Sequence, residues 1–145
     1  MFNNILVPTD GSTLSDKAMN AAIEFARNNP GSKIIGLAVA EPMPFSQLEG
    51  LSRMDTLNYD LREQMLAQTH VDRMAEAAKA AGVPCETLVE QSADPHQEII
   101  KVASRYDSDC IFMASHGSKG FSKFFIGGEA QKALRQANIP VLLYR

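Results

Sequence analysis

The chain has little of several features that mark whole classes of protein. It contains no tryptophan and only two cysteines, Cys85 and Cys110, which are not spaced as a Cys-x-x-Cys pair. That number and spacing disfavour a disulfide framework or a zinc site and predict reduced thiols in a cytoplasmic protein. Its 14 basic residues are outnumbered by 17 acidic residues, which gives a formal net charge of -3. Because no basic surface is indicated, we expect no nucleic-acid partner.

Long hydrophobic runs are also absent from the sequence. The amino terminus, MFNNILVPTD, has neither a basic segment nor an extended apolar segment, so no signal peptide is expected. No run approaches the roughly 20 apolar residues that span a bilayer, so no membrane partner is expected. The chain does have 145 residues, of which 45% are hydrophobic. This composition predicts one compact domain over residues 1–145.

Short apolar runs alternate with helical patterns along the whole chain. The predicted strands are Asn4–Pro8, Lys33–Ala40, Cys85–Glu90, Asp109–Ala114 and Ile139–Tyr144. The predicted helices run from Thr13 to Asn28, from about Asp55 to Ala81, from about Pro95 to Tyr106, and from about Gly128 to Ala137. This order, βαβαβαβαβ, favours parallel strands with right-handed crossovers. The predicted fold class is therefore a doubly wound α/β domain with helices on both faces of the sheet.

The predicted helices carry two further expectations. One face of the long helix is apolar and is expected to lie against the core; it comprises Leu57, Leu61, Met65, Met74 and Ala78. His70 and His96 fall on separate helices without metal-ligand spacing. We interpret both histidines as solvent-exposed residues and predict no metal site.

A parallel sheet of this kind binds ligands beyond the carboxyl ends of its strands, where the strand order reverses. The segments expected at this edge are PTDG at residues 8–11, VAEP at residues 39–42 and ASHG at residues 114–117. Candidate ligand-binding residues are therefore sought in these three connections.

The last of these segments begins a glycine-rich connection, ASHGSKGFSKFFIGGEA, at residues 114–130. Glycine lets backbone N–H groups approach an anion closely, and the N-terminus of the following helix adds about half a positive charge. Lys119 and Lys123 would add positive charge, and Gly120 adds another glycine. The pattern is neither a Walker loop nor a dinucleotide fingerprint. On its own it predicts a phosphate site or an ordinary structural turn equally well.

Three segments together resemble the universal stress protein family: NILVPTDGS near the amino end, MASHGSKGFSKFFIGG, and ALRQANIPVLLYR at the carboxyl end. The resemblance covers essentially the whole chain. It implies a five-stranded sheet in the order 3-2-1-4-5. It also implies a homodimer formed through the last strand, Ile139–Tyr144, which the sequence independently predicts to be an apolar sheet edge.

In nucleotide-binding members, the resemblance implies ATP held by a Gly-x-x-Gly-(nine residues)-Gly-(Ser/Thr) pattern, which this chain matches incompletely. Gly117 and Gly127 occupy the second and third glycine positions, whereas Ala114 stands at the first and Gly128 at the hydroxyl position. Glu129 follows and would bring negative charge to the start of the helix, where it competes with a phosphate for the same positive field. The predicted phosphate half of the site is therefore weakened.

The adenosine half implied by the resemblance is nearly intact. The residues carried over are Pro8, Thr9 and Asp10 at the adenosine end, and Val39 and Met113 beside the adenine. Apart from the resemblance, the position of His116 in the loop predicts that it shapes the loop or contacts a phosphate. The expected ligand is ATP, with Mg²⁺ as a companion, or AMP, which would be less affected by the negative charge at the helix. No catalytic residue is predicted, because no partner accompanies the loop histidine and no Gly-x-Ser-x-Gly elbow occurs.

Three functions remain as hypotheses. The leading one is a stress-response protein that binds an adenine nucleotide and acts through binding and signalling rather than turnover. The alternative is a nucleotide-independent dimeric scaffold, favoured by the departures at Ala114, Gly128 and Glu129. The third is a slow ATPase, but phosphoryl transfer needs metal coordination and an oriented nucleophile, and beyond Asp10 the sequence offers little of either.

Overall fold

A computed structural model describes residues 2–117 and 127–145 of the chain. Five strands form one parallel sheet in the order β3-β2-β1-β4-β5, which confirms the predicted fold class and strand order. The strands are β1 (Asn4–Pro8), β2 (Lys33–Ala40), β3 (Cys85–Gln91), β4 (Cys110–Ala114) and β5 (Val141–Tyr144). The helices are α1 (Thr13–Arg27), α2 (Arg53–Ala80), α3 (Pro95–Arg105) and α4 (Gly128–Gln136).

Helices cover both faces of the sheet, and this explains the continuous apolar runs of its central strands. In β1, Ile5, Leu6 and Val7 have no exposed surface. Ile5 and Val7 pack with residues of α1 and α2, including Met74, whereas Leu6 packs on the opposite face with residues of α3 and α4, including Ile99. Because successive side chains of a strand point to opposite faces, a strand covered on both sides must be apolar throughout.

The two outer strands differ from the central ones as the sequence predicts. β3 is only partly buried along its length, in agreement with its alternating polar and apolar residues. β5 pairs with β4 and begins at Val141, after Pro140, rather than at Ile139. Proline has no N–H to donate to the ladder, although the carbonyl of Pro140 accepts a hydrogen bond from the Ile111 amide at 2.9 Å.

The predicted core face of α2 is wrong for the first half of the helix. Leu57, Leu61 and Met65 are 52%, 56% and 62% exposed, and the buried residues lie further along, from residue 67 to residue 78. The 28 residues of α2 extend for about 42 Å at roughly 1.5 Å per residue. The eight residues of β2 extend for only about 26 Å at roughly 3.3 Å per residue. The first turns of α2 therefore extend past the carboxyl ends of the strands.

Both cysteines are free, as expected. Burial raises the pKa of the Cys85 thiol to about 11 and that of the Cys110 thiol to about 11. Both thiols are consequently protonated at neutral pH, so nucleophilic or redox chemistry is disfavoured at either position.

The turn between β1 and α1 depends on a glycine. Gly11 has a φ of +78°, in the left-handed region that glycine adopts without steric cost. A Cβ placed on Gly11 would also overlap the imidazole ring of His70, which comes from α2. The prediction that His70 is solvent-exposed is therefore wrong, because its ring packs against the backbone of this turn.

Replacement of Gly11 by alanine should be costly for two separate reasons. The left-handed φ costs about 1–2 kcal/mol for a residue with a Cβ, and overlap with the packed ring adds typically 1–3 kcal/mol. Gly82→Ala is the matched control, because Gly82 has a φ of +71° but no described atom within 4 Å of an added Cβ. Urea unfolding should show a larger loss of unfolding free energy for Gly11→Ala. Equal losses in the two variants would show that the contact with His70 contributes nothing.

Candidate functional site

The carboxyl ends of β1, β2 and β4 border a cleft of about 270 Å³. Its walls include these residues that the sequence predicts for a ligand site: Pro8, Thr9, Asp10, Val39, Met113, Ala114, His116, Gly117, Gly127, Gly128 and Glu129. The structure thus brings together segments that are separated by more than a hundred residues of chain.

The cleft lies where two neighbouring strands lead to opposite faces of the sheet. From β1 the chain passes to α1 on one face, whereas from β4 it passes towards α4 on the other. The two connections diverge and leave a crevice between them, as expected at the point where strand order reverses.

The sequence did not identify several residues of the cleft walls, namely Ser15, Leu37, Pro95 and Ile99. Leu37 could have been found, because it lies two residues before Val39 on the same face of β2. Pro95 and Ile99 could not, because the packing of α3 over the sheet brings them to the cleft. Together with Met113, these aliphatic side chains make the base of the cleft apolar.

Hydrogen bonds within the β1–α1 turn hold its polar groups in place. The buried Ser15 hydroxyl donates to Oγ1 of Thr9 at 2.9 Å and accepts from the Asp10 amide at 3.3 Å. Oδ1 of Asp10 accepts from the Ser12 amide at 3.0 Å. A Cβ placed on Gly117 would overlap Oδ2 of Asp10, so this carboxylate lies directly against the start of the β4–α4 connection. Glycine at position 117 is what permits this approach.

The two described ends of the β4–α4 connection are held together. The Gly127 amide donates to the carbonyl of Ser115 at 2.7 Å, and the Ser115 amide donates to the carbonyl of Tyr144 at 2.8 Å. A Cβ on Gly127 would lie only 3.1 Å from the Cα of His116. Residues 118–126, which carry the predicted contributions of Lys119, Gly120 and Lys123, lie outside the described residues.

The carboxylate of Glu129 joins the starts of two helices. Its Oε2 accepts a hydrogen bond from the His96 amide at 2.9 Å and lies 3.0 Å from Nδ1 of the same histidine. His96 is only 6% exposed, so the prediction that it is solvent-exposed is wrong. Asp94, the N-cap residue of α3, makes no side-chain capping bond. Glu129 instead satisfies an N–H group at the start of that helix, from a position in α4.

His70 reaches the same region from the other side of the sheet. Burial lowers the pKa of His70, and the nearby Arg73 lowers it further, although Asp10 and Asp16 act in the opposite direction. Its Nδ1 is buried and has no hydrogen-bond partner among the described residues. The neutral imidazole is therefore favoured in the folded protein.

Within residues 2–117 and 127–145, no group of three or more His, Cys, Asp or Glu side chains is arranged to hold a metal ion. In the same residues, no helix combines the length and the apolar character required to cross a bilayer.

Comparison with known proteins identifies relatives over the full length of the chain. The sequence profile of the Universal stress protein family matches residues 1–145. A universal stress protein from Methanocaldococcus jannaschii, MJ0531, is 26% identical over 100% of this chain and 83% of its own length. The Bacillus subtilis universal stress protein YxiE is 26% identical over 100% of both chains.

Solved structures of universal stress proteins share this fold. UspA from Lactobacillus plantarum superposes with a TM-score of 0.81 at 18% identity, over 99% of this chain and 97% of its own. A universal stress protein in complex with cAMP gives a TM-score of 0.71 at 22% identity, over 99% and 97% of the two chains. The Archaeoglobus fulgidus protein in complex with dAMP gives 0.66 at 17% identity, over 99% and 98%.

The lowered pKa of His70 predicts how stability changes with pH. Below the unfolded-state value of about 6.5, the unfolded chain binds a proton that the folded chain resists, so stability falls as pH falls. His70→Gln should therefore lose less unfolding free energy than the parent between pH 7.5 and pH 5.5. Urea unfolding at the two pH values measures this difference. An equal or larger loss of unfolding free energy in the variant would contradict the lowered pKa of His70.

Proposed function

The chain belongs to the universal stress protein family, and from this premise we propose that it binds an adenine nucleotide in the cleft at the carboxyl ends of β1, β2 and β4. It acts by binding and signalling rather than by turnover. The observation that carries the proposal is the composition of one cleft, which has an apolar base and ends at a glycine-rich helix start.

The apolar base suits a purine ring. Val39 on β2 and Met113 on β4 lie on the two strands that flank β1, so they stand on either side of Pro8. Small-molecule sites are typically concave and mostly apolar, with a few polar groups that set orientation. Thr9 and Asp10 supply those polar groups for the ribose.

The size of the cleft fits a nucleoside better than a larger ligand. Its volume of about 270 Å³ is slightly below the roughly 300–1,000 Å³ that ligand pockets span. A phosphate would extend from the nucleoside towards Gly127, the N-cap residue of α4. Because this residue is a glycine, no N-cap side chain occupies the N–H groups at the start of the helix. Unsatisfied N–H groups at a helix start are suited to an anion.

The comparisons support the same class of ligand. Two family members of the same fold have been solved with cAMP and with dAMP, which are adenine nucleotides that carry a single phosphate.

The Ser115–His116 pair offers no accessible nucleophile. Although the hydroxyl lies 3.3 Å from Nδ1 of the histidine, Ser115 is only 1% exposed and is not part of the cleft walls.

Nucleotide binding can be tested with a pair of glycine variants. We expect the parent to bind AMP in isothermal titration calorimetry. Gly117→Ala should weaken binding about tenfold or more, because the new methyl group displaces the Asp10 carboxylate and so removes a hydrogen bond from a charged group. Gly31→Ala is the control, since Gly31 lies before β2 and outside the cleft walls, and no described atom lies within 4 Å of its added Cβ.

The control variant should bind AMP as the parent does, and both variants should keep the parent's melting temperature within a few degrees. The parent is also titrated with ATP and Mg²⁺, and with GMP as a control for recognition of the adenine base. If neither AMP nor ATP binds the parent at millimolar concentration, the proposal fails and the nucleotide-independent scaffold becomes the better interpretation.

We also propose a homodimer formed through β5, the segment for which the sequence predicted pairing at Ile139–Tyr144. β5 is an outer strand of the sheet, and Leu142 on it is 41% exposed. An apolar edge strand presents unpaired backbone groups to a second copy.

Sedimentation should distinguish this interface from another apolar surface of the protein. The parent should sediment as a dimer, and Leu142→Lys should shift it to monomer at the same concentration. Leu61→Lys is the matched control, because Leu61 is an exposed leucine on α2. Dissociation by the α2 variant instead would place the interface on that helix, and a monomeric parent at high micromolar concentration would exclude the dimer.

A further inference from the structure

The starts of α3 and α4 meet beside the cleft, and a carboxylate of the protein lies between them. We infer that Glu129, held by His96, acts as a built-in anion that makes the cleft select adenosine or a nucleoside monophosphate over ATP. This inference rests on the proposed nucleotide site and specifies its ligand class.

The position of Glu129 is fixed by two hydrogen bonds to one residue. Glu129 is the second residue of α4, and His96 is the second residue of α3. Oε2 of Glu129 accepts from the His96 amide at 2.9 Å and lies 3.0 Å from Nδ1. Because a carboxylate only accepts, Nδ1 carries the proton in this contact. The His96 ring is buried, whereas the Glu129 side chain is 45% exposed, so these two hydrogen bonds are what hold the carboxylate in place.

A carboxylate in this place affects any phosphate that approaches. Helix starts attract anions through their N–H groups and the helix dipole. Here one internal anion already draws on the fields of two helices. An incoming phosphate must share the field of α4 and is repelled by the charge of Glu129, and each additional phosphate increases that repulsion.

Among the described residues, the neighbouring charges do not cancel this effect. Nζ of Lys132, one helical turn further along α4, lies 3.7 Å from Oε1 of Glu129. Because this ion pair is exposed to solvent, it compensates only part of the negative charge of the carboxylate. The described walls include no lysine or arginine. The described part of the cleft therefore disfavours a ligand of high negative charge.

The experiment compares the affinities of AMP and ATP in one protein. By calorimetry without Mg²⁺, the ratio of Kd for ATP to Kd for AMP should exceed about tenfold in the parent. Glu129→Gln keeps the shape and the acceptor oxygen but removes the charge, and it should lower that ratio about fivefold or more. Glu76→Gln is the control, because it removes the same charge from an exposed position in the last turns of α2, at the opposite end of the sheet.

The control should leave the ratio within about twofold of the parent. A second measurement needs no variant: because salt screens charge, with a Debye length of about 10 Å at 0.1 M and 3 Å at 1 M, raising the salt should lower the parent's ratio. If both nucleotides bind but the ratio responds neither to Glu129→Gln nor to salt, this inference is wrong and the nucleotide site stands. If neither nucleotide binds any form of the protein, both are wrong.

Discussion

The contact between the Asp10 carboxylate and the backbone of Gly117 sets the geometry on which the cleft depends. These two residues begin the connections that leave β1 and β4, and the absence of a Cβ at position 117 lets the connections approach each other. The turn that carries Asp10 is shaped in turn by Gly11, against which the ring of His70 packs. The cleft on one face of the sheet is thereby coupled to α2 on the other. A side chain added at either glycine would therefore alter the site by displacing a neighbouring side chain, Asp10 or His70.

The fold could be predicted from the sequence because its strongest signals are local. Continuous apolar runs such as residues 5–7 occur only where a strand is covered on both faces, and their alternation with helices leaves few topologies. The burial of α2 could not be predicted in the same way. Periodicity identifies an apolar face, but it does not say which part of the helix lies over the sheet. Leu57 and Leu61 are exposed because the helix is longer than the strands beneath it.

The candidate site shows the same limit at the level of single residues. Its predicted members follow strands or begin a helix, and the sheet brings strand ends together whatever the sequence between them. Ile99 joins them only through the packing of α3, for which the sequence has no local signal. The two misassigned histidines have the same cause. His96 is hydrogen-bonded to Glu129, 33 residues away in the chain, and the ring of His70 packs against Gly11, 59 residues away.

The departures from the nucleotide-binding pattern of the family have a consistent direction. Ala114 adds a methyl group where glycine permits the closest approach, Gly128 removes a hydroxyl, and Glu129 adds a negative charge. In the proposed site all three would act on the phosphate half, whereas Val39, Met113 and the β1–α1 turn lie around the apolar base. A site that had lost its ligand would be expected to accumulate changes in both halves. Changes confined to one half instead favour a ligand that keeps the adenosine and carries fewer phosphates. On this interpretation, the Glu129 carboxylate between α3 and α4 takes the place of one phosphate group of a ligand. It accepts a hydrogen bond from the N–H of His96 and interacts favourably with the dipoles of both helices whether or not a ligand is bound.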